Sequence, residues 1–357
     1  MKLQFPLTTP YHVKRDSVLN AIQNAHSRTR IFLFEAAAGY GKSVCLSQYI
    51  QQRIQAFECA AWVTLDPKEN DSLRFVTYMV CALNAATPKL GLNALTKIEQ
   101  GEKAESVFHS LMDDIKAFEL PVHLALDDVH HLIHDEALDI LNELIQYAPD
   151  NFRLYLTSRT RPAMPLARLI SQNVVKVFDE HQLRFSLAET TDWLGRQFDQ
   201  TFSELQVQAF YDLSNGWQTG LELLKNLYQQ NSVIEVEGDE SLLCDYIQQE
   251  WLISLSESER QLCEHISILG SANSRYLEAV FDHEGVKQTL ENLYEKHAFL
   301  LRDEKKSSWY AMHPMFARYL LNGQDLGQAK EMYRTACEWL FEQGFNIAAV
   351  EIGRAHV

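Results

Sequence analysis

The sequence predicts an α/β fold, in which a parallel sheet is flanked by helices, followed by a helical lid, a winged-helix unit and the start of an α-helical repeat superhelix. Three observations support this prediction. Apolar strands alternate with helical patterns over residues 28–185, as in parallel sheets whose strands are joined by helices. From residue 186 the hydrophobic period becomes helical. Further on, three helical segments precede strand-like segments at 299–301 and 309–311, which is the element order of a winged helix.

The composition is that of an ordinary globular chain with two or three domains. The 357 residues are 46% hydrophobic and 22% charged, and the formal net charge is −16. Because phosphate neutralisation needs clustered Lys and Arg, this charge argues against a nucleic-acid interface within these residues. Six cysteines without CxxC spacing are typical of reduced thiols. No apolar run reaches the length of a membrane span and no signal pattern is present, so we expect a cytoplasmic protein without membrane contact.

The loop after the first strand has the pattern of a phosphate-binding loop. Residues 36–43 read Ala-Ala-Ala-Gly-Tyr-Gly-Lys-Ser, with Ala in place of the usual first glycine. Gly39 and Gly41 allow positive φ, so that N–H groups can turn toward a phosphate at the N-terminus of the next helix. Lys42 is expected to reach the β- and γ-phosphates, and the Ser43 hydroxyl to ligate Mg²⁺. The predicted nucleotide-binding residues of the loop are Ala38, Gly39, Tyr40, Gly41, Lys42 and Ser43.

A pair of carboxylates ends a later strand of the predicted sheet. The run Val122–Leu126 is apolar apart from His123 and is followed by Asp127 and Asp128. Carboxyl ends of parallel strands lie at the edge that holds the phosphate loop. Since successive strand residues point to opposite faces, the two carboxylates should have different roles: Asp127 at the Mg²⁺ shell and Asp128 polarising an attacking water. A solvated turn or a helix cap is the alternative.

Basic residues follow these strands. His130 and His134 are one helical turn apart, but no Glu or Cys at suitable spacing completes a zinc set, and His130 is expected to orient the neighbouring carboxylates. Arg159 follows the strand Leu154–Thr157, where it could touch a γ-phosphate. The predicted catalytic residues are therefore Lys42, Asp127, Asp128 and Arg159.

The chain divides into a core and several smaller segments. Residues 1–27 contain an amphipathic helix that either closes over a nucleotide base or is a simple packing helix. Glu291 and Glu295 on or beside the helix before the hairpin favour a packing role over DNA reading for the winged helix. The segments are a lead-in at 1–27, the nucleotide-binding core at 28–185, a helical lid at 186–234, an acidic linker at 235–240, the winged helix at 241–325, the start of a helical-repeat sensor at 326–350, and 351–357, which resembles a translated sequencing adapter.

Taken together, the motifs resemble the large ATP-dependent LuxR-type transcription regulators of the MalT-like family, which belong to the STAND class of P-loop NTPases. The resemblance extends over nearly all of residues 1–350. Ala37 stands where the family commonly has Pro, and Ser43 replaces the usual Thr; both changes keep the chemistry. The matching stretches are Ala38–Ser43, Leu126–His130, Thr157–Arg159, Met164–Leu169, Leu183–Phe185 with Glu189, Gly216–Trp217 and Met312–Phe316.

The resemblance implies a nucleotide switch rather than a metabolic enzyme, with at most slow regulatory ATPase activity. Its ligands are expected to be ATP or ADP with Mg²⁺. ADP is expected to hold a closed resting monomer, with His313 touching the phosphates and with Gly216 and Trp217 among the cofactor-binding residues. A small-molecule or protein inducer, recognised by a superhelix, would allow exchange to ATP and self-association, and a C-terminal helix-turn-helix would bind promoter DNA. The sensor repeats and that DNA-binding domain are expected to lie outside this sequence.

Two other classes of protein are considered. An AAA-like ATPase machine would need an arginine supplied in trans and fast hydrolysis of ATP. A P-loop kinase or other small-molecule enzyme usually has a compact acceptor pocket and no appended winged helix, so the last third of the chain argues against it.

Overall fold

The computed structural model divides the chain into two compact units. Its description covers residues 2–25, 28–162, 164–231, 245–281, 285–295, 299–302, 308–321 and 326–354. The first unit is Met1–Arg184 with Gly195–Asp199, and the second is Phe185–Leu194 with Gln200–Val357.

A five-stranded parallel sheet forms the centre of the first unit. Its strands are β1 (Ile31–Glu35), β2 (Cys59–Thr64), β3 (Val122–Asp127), β4 (Phe152–Ser158) and β5 (Val175–Phe178), in the order β2-β3-β4-β1-β5. Every residue of β1 and β3 is buried, which explains why the strands read as apolar runs instead of alternating patterns. The predicted parallel sheet is confirmed. Strand β5 was not predicted, because it has four residues and its two central residues, Lys176 and Val177, are only half-buried.

Helices cover the sheet of the first unit. The buried side chains Phe75, Met79, Leu83 and Leu111 come from two of them and belong to the same core cluster as Leu33 of β1. The helices are α1 (Asp16–Ala25), α2 (Lys42–Gln55), α3 (Ser72–Ala86), α4 (Leu92–Glu99), α5 (Ala104–Lys116), α6 (Asp135–Tyr147), α7 (Leu166–Ser171) and α8 (Glu180–Leu183).

The second unit is mainly helical and contains a small antiparallel sheet. Strands β7 (Leu300–Arg302) and β8 (Trp309–Met312) form the predicted hairpin, and the two-residue strand β6 (Ala272–Asn273) pairs with β8. The charged turn at 303–306 and the acidic linker at 235–240 lie outside the described residues. The helices, which confirm the helical prediction, are α9 (Leu187–Gln197, which contains residues of both units), α10 (Glu204–Ser214), α11 (Gln218–Asn231), α12 (Glu257–Leu269), α13 (Ser274–Phe281), α14 (Val286–Glu295), α15 (Pro314–Leu321), α16 (Leu326–Glu342) and α17 (Asn346–Arg354).

The last two helices pack against each other, and the Cys337 thiol lies 3.3 Å from the Ala349 carbonyl oxygen. Helix α17 continues through residues 351–354, which belong to the adapter-like segment of the sequence. Among the described residues, no helix is long and apolar enough to cross a membrane.

Candidate nucleotide-binding site

The loop between β1 and α2 has the backbone that a phosphate-binding loop requires. Gly39 has φ 82° and Gly41 has φ 65°, both in the left-handed region that side chains disfavour. Gly41 is the N-cap residue of α2 and has no side chain that could cap the helix. Its first N–H groups are therefore placed to bind an anion, with support from the helix dipole.

Lys42 is folded back onto this loop. Its side chain is almost entirely buried, the residue being 7% exposed, and its Nζ donates hydrogen bonds of 2.8 Å to the carbonyl oxygens of Ala36 and Ala37. Burial lowers the pKa of Lys42 to about 8, although the charges of Asp128 and Asp127 oppose the change. Lys42 thus keeps a largely charged ammonium group at neutral pH inside the loop that would hold phosphates.

Ser43 and Asp127 lie together at the carboxyl edge of the sheet. The Ser43 hydroxyl donates to Asp127 Oδ1 at 2.6 Å, and Thr157 Oγ1 donates to the same oxygen at 2.5 Å. Burial raises the pKa of Asp127, while the two hydroxyl hydrogen bonds lower it. Thr157 was not proposed as a site residue, although its place one step beyond the Leu126–Leu156 register pair of β3 and β4 puts it beside Asp127.

The two carboxylates have different surroundings, but the reason differs from the expected alternation along a strand. Strand β3 ends at Asp127, and Asp128 has φ 63°, in the left-handed region. The Asp128 N–H donates to Thr157 Oγ1 at 2.9 Å, and its side chain is about one-third exposed, at 32%. The turn therefore leaves Asp128 accessible and Asp127 buried.

His130 and Arg159 complete the carboxyl edge. His130 Nδ1 lies 3.7 Å from Asp128 Oδ1, and burial lowers the pKa of His130 to about 4, so the ring is neutral at pH 7. Arg159 is exposed directly after β4, and its charge lowers the pKa values of Lys42 and His130. Among the described residues, no cluster of three or more His, Cys, Asp or Glu side chains could hold a metal ion.

Two further carboxylates at this edge escaped the sequence analysis. Glu180 Oε1 accepts a hydrogen bond of 3.1 Å from the Ala37 N–H, and Glu35 Oε2 accepts one of 3.0 Å from Arg161 Nε. Glu180 also raises the pKa of the buried Tyr40, although burial is the larger cause.

The oxygen and nitrogen groups of the loop and of the adjacent end of β3 fit a Mg²⁺–nucleotide. Ser43 Oγ and Asp127 Oδ1 are hard oxygen donors 2.6 Å apart, and Mg²⁺ is commonly held by one or two protein oxygens together with phosphates and waters. Lys42 and the uncapped start of α2 supply the positive charge that phosphates need.

Three predicted cofactor residues are close together within the second unit. Gly216 has φ 74°, and a Cβ there would lie 2.2 Å from the Phe185 carbonyl oxygen, so only glycine fits. Trp217 and His313 are fully buried, with ring centroids 5.7 Å apart. The Nε2 of His313 lies 2.9 Å from the Ser214 carbonyl oxygen. These residues form one cluster near the C-terminus of α10.

Comparisons with known proteins agree with this arrangement. Residues 248–331 match the family described as the MalT winged helix domain. The chain is 25% identical over 347 residues to the HTH-type transcriptional regulator MalT of Yersinia pestis (strain Pestoides F), an alignment that covers 95% of this chain and 36% of the regulator. The Walker-type ATPase PABY2304 of Pyrococcus abyssi shares the fold, with a TM-score of 0.61, 15% identity and coverage of 88% of this chain and 99% of that chain.

The first unit has the fold of the P-loop NTPases, and the second contains a winged helix domain of the MalT type. The resemblance to the MalT-like regulators, suggested by short motifs, is confirmed by similarity along almost the whole chain. The chain spans about a third of the length of this relative.

Proposed function

We propose that this chain is the nucleotide-dependent switch of a MalT-like regulator of transcription. ADP holds the resting state, and ATP together with an inducer drives opening and self-association. Lys42 and the loop bind the phosphates, Ser43 and Asp127 hold Mg²⁺, and Asp128 polarises the attacking water with Arg159 near the γ-phosphate. His313 contributes to ADP retention from the winged-helix unit. Recognition of the inducer and binding to promoter DNA belong to segments outside this sequence.

The observation that carries the proposal is the meeting of Lys42, Ser43 and Asp127 at the carboxyl edge of the sheet. A buried ammonium group folded onto a glycine-rich loop, beside a hydroxyl–carboxylate pair 2.6 Å apart, suits a Mg²⁺–nucleotide. The long similarity to a transcription regulator supports a switch rather than a metabolic enzyme. Hydrolysis of ATP is expected to be slow, well below the roughly 1 s⁻¹ at which ordinary enzymes begin.

The nucleotide content of the purified chain tests this proposal. We expect near-stoichiometric ADP, released by denaturation and separated by chromatography, from the wild type and from the control Lys89→Ala, which changes an exposed lysine. Lys42→Ala should carry none, and His313→Ala should lose ADP faster. A nucleotide-free wild type that hydrolyses added ATP quickly would instead support the AAA-like machine or an enzyme.

A further inference from the structure

Glu180 connects the phosphate loop to a part of the chain far from it in sequence. It is the first residue of α8, the short helix that follows β5. Its Oε1 accepts a hydrogen bond of 3.1 Å from the N–H of Ala37, the second residue of the loop 36–43. A hydrogen bond to a carboxylate is stronger than one between neutral groups, so this contact fixes the start of the loop.

The residue that donates a hydrogen bond to Glu180, Ala37, also accepts one from Lys42. The Ala37 carbonyl oxygen accepts a hydrogen bond of 2.8 Å from Lys42 Nζ, while the Ala37 N–H donates to Glu180. The charge of Glu180 also raises the pKa values of Lys42 and Tyr40. Ala37 is therefore held from both sides, by a carboxylate from α8 and by the ammonium group of the loop itself.

The carboxyl end of α8 is also fixed by hydrogen bonds, which come from Arg15. The guanidinium of Arg15, which is 3% exposed, donates hydrogen bonds to the carbonyl oxygens of Leu183 at 2.5 Å, Gln182 at 3.2 Å and Arg184 at 3.1 Å. These are last-turn carbonyls that a helix leaves unpaired, and a cation is favoured there. Arg184 is the last residue before the second unit begins at Phe185.

We propose that Glu180 is a positioning residue of the nucleotide site, which ties the start of the phosphate loop to α8 and so to the segment that leads into the second unit. Through Ala37 it holds the loop in the geometry that retains ADP. Any movement of the loop on nucleotide exchange is transmitted to residues 180–184. This inference rests on the proposed nucleotide switch and adds the residue that couples the site to the chain leading out of the unit.

Two substitutions separate the position of the acceptor oxygen from its charge. Glu180→Asp keeps the charge but shortens the side chain by one methylene, so it loses the reach to Ala37. Glu180→Gln loses the charge but keeps an acceptor oxygen at the same reach. We expect Glu180→Asp to release a fluorescent ADP analogue about tenfold faster than wild type, as for loss of one charged hydrogen bond, and Glu180→Gln to stay within about threefold.

The matched controls are Glu119→Asp and Glu119→Gln, which change an exposed carboxylate in the loop before β3. They should leave the release rate unchanged, and circular dichroism should show that all variants are folded. Wild-type release rates for both Glu180 variants, or equal acceleration by both, would overturn the positioning role. Slower release by both would also overturn it, because it would mean that the carboxylate repels the phosphates.

Amide hydrogen exchange tests the link to α8. In the wild type, ADP should protect peptides that cover residues 31–41 and 179–187. In Glu180→Asp, ADP at saturating concentration should protect only the first peptide. Equal protection of the second peptide in both proteins would overturn the coupling. If the wild type binds no ADP at all, the proposed switch fails instead, so the two failures are distinguishable.

Discussion

Strand β3 buries a polar residue at each end, and the two ends differ in the partners that surround them. At the amino end, His123 is 2% exposed and its Nδ1 lies 2.9 Å from the Tyr155 hydroxyl, while the two rings stack. At the carboxyl end, Asp127 is 5% exposed and accepts hydrogen bonds from Ser43 and Thr157.

The difference lies in the charges that accompany each residue. His123 packs against the Tyr155 ring, and the Glu58 carboxylate lies 2.9 Å from its Nε2. The charges that act on Asp127 include those of Lys42 and Asp128. Burial raises the pKa of Asp127 and lowers that of Lys42. A carboxylate whose pKa is raised and a lysine whose pKa is lowered both cost stability at neutral pH, and such shifts are typical of functional sites. We therefore expect substitutions at the amino end to reduce stability and those at the carboxyl end to reduce nucleotide binding.

The largest expected effect on stability belongs to the amino end. His123→Ala should lower the free energy of unfolding of the first unit by about 3 kcal/mol, because it leaves a cavity and removes a hydrogen-bond partner of the Tyr155 hydroxyl. Urea unfolding measures this loss, and ADP retention should not change. The matched variant Tyr155→Phe removes only the hydroxyl and should cost about 1 kcal/mol. Loss of ADP from folded His123→Ala would contradict the division between the two ends.

Substitution of Lys42, at the carboxyl edge, should have the opposite effects to substitution of His123: higher stability and loss of nucleotide binding. Its pKa is about 8 in the folded chain against about 10.4 when unfolded, so the unfolded state holds more protons between these values. Wild-type stability should therefore rise as the pH increases from 8 to 10.4. Lys42→Met should abolish that rise and be about 2 kcal/mol more stable than wild type at pH 7, while binding no ADP.

Urea unfolding between pH 7 and pH 11 measures both effects, and the exposed-lysine variant Lys89→Ala is the control that should keep the wild-type profile. A less stable Lys42→Met would mean that the lysine supports the fold more than the site, and the contrast with His123 would disappear.

Local patterns predicted the core of the site from sequence. The strand, glycine loop and helix are adjacent in the chain, so Gly39, Gly41 and Lys42 could be placed by spacing alone. Asp127 could also be placed at the correct edge of the sheet, because the end of an apolar strand is a local signal. Asp127 Oδ1 lies 2.6 Å from Ser43 Oγ, as expected if the carboxyl ends of parallel strands meet at the edge that holds the loop.

The missed residues depend on contacts that no local pattern contains. Glu180 meets Ala37 across 143 residues of chain, and it follows a four-residue strand that has no clear hydrophobic period. Thr157 lies in the stretch Thr157–Arg159, which matches the family motifs, but its contact with Asp127 depends on the register of β4 against β3. Identifying these two residues requires the sheet register and the tertiary contacts, which the spacing of residues along the chain does not give.

The smallest expected effect belongs to His130, which is half-buried beside the Asp128 carboxylate. The pKa of His130 is about 4 in the folded chain, chiefly because of burial, against about 6.5 when unfolded. The unfolded state therefore binds a proton first as the pH falls, and wild-type stability should decrease between pH 6.5 and pH 4. His130→Gln should make this decrease about 1 kcal/mol smaller, as measured by urea unfolding at pH 7 and pH 4.5. His134→Gln, which changes an exposed histidine, should keep the full decrease. An unchanged decrease in His130→Gln would mean that burial does not lower the pKa of His130 in the folded chain.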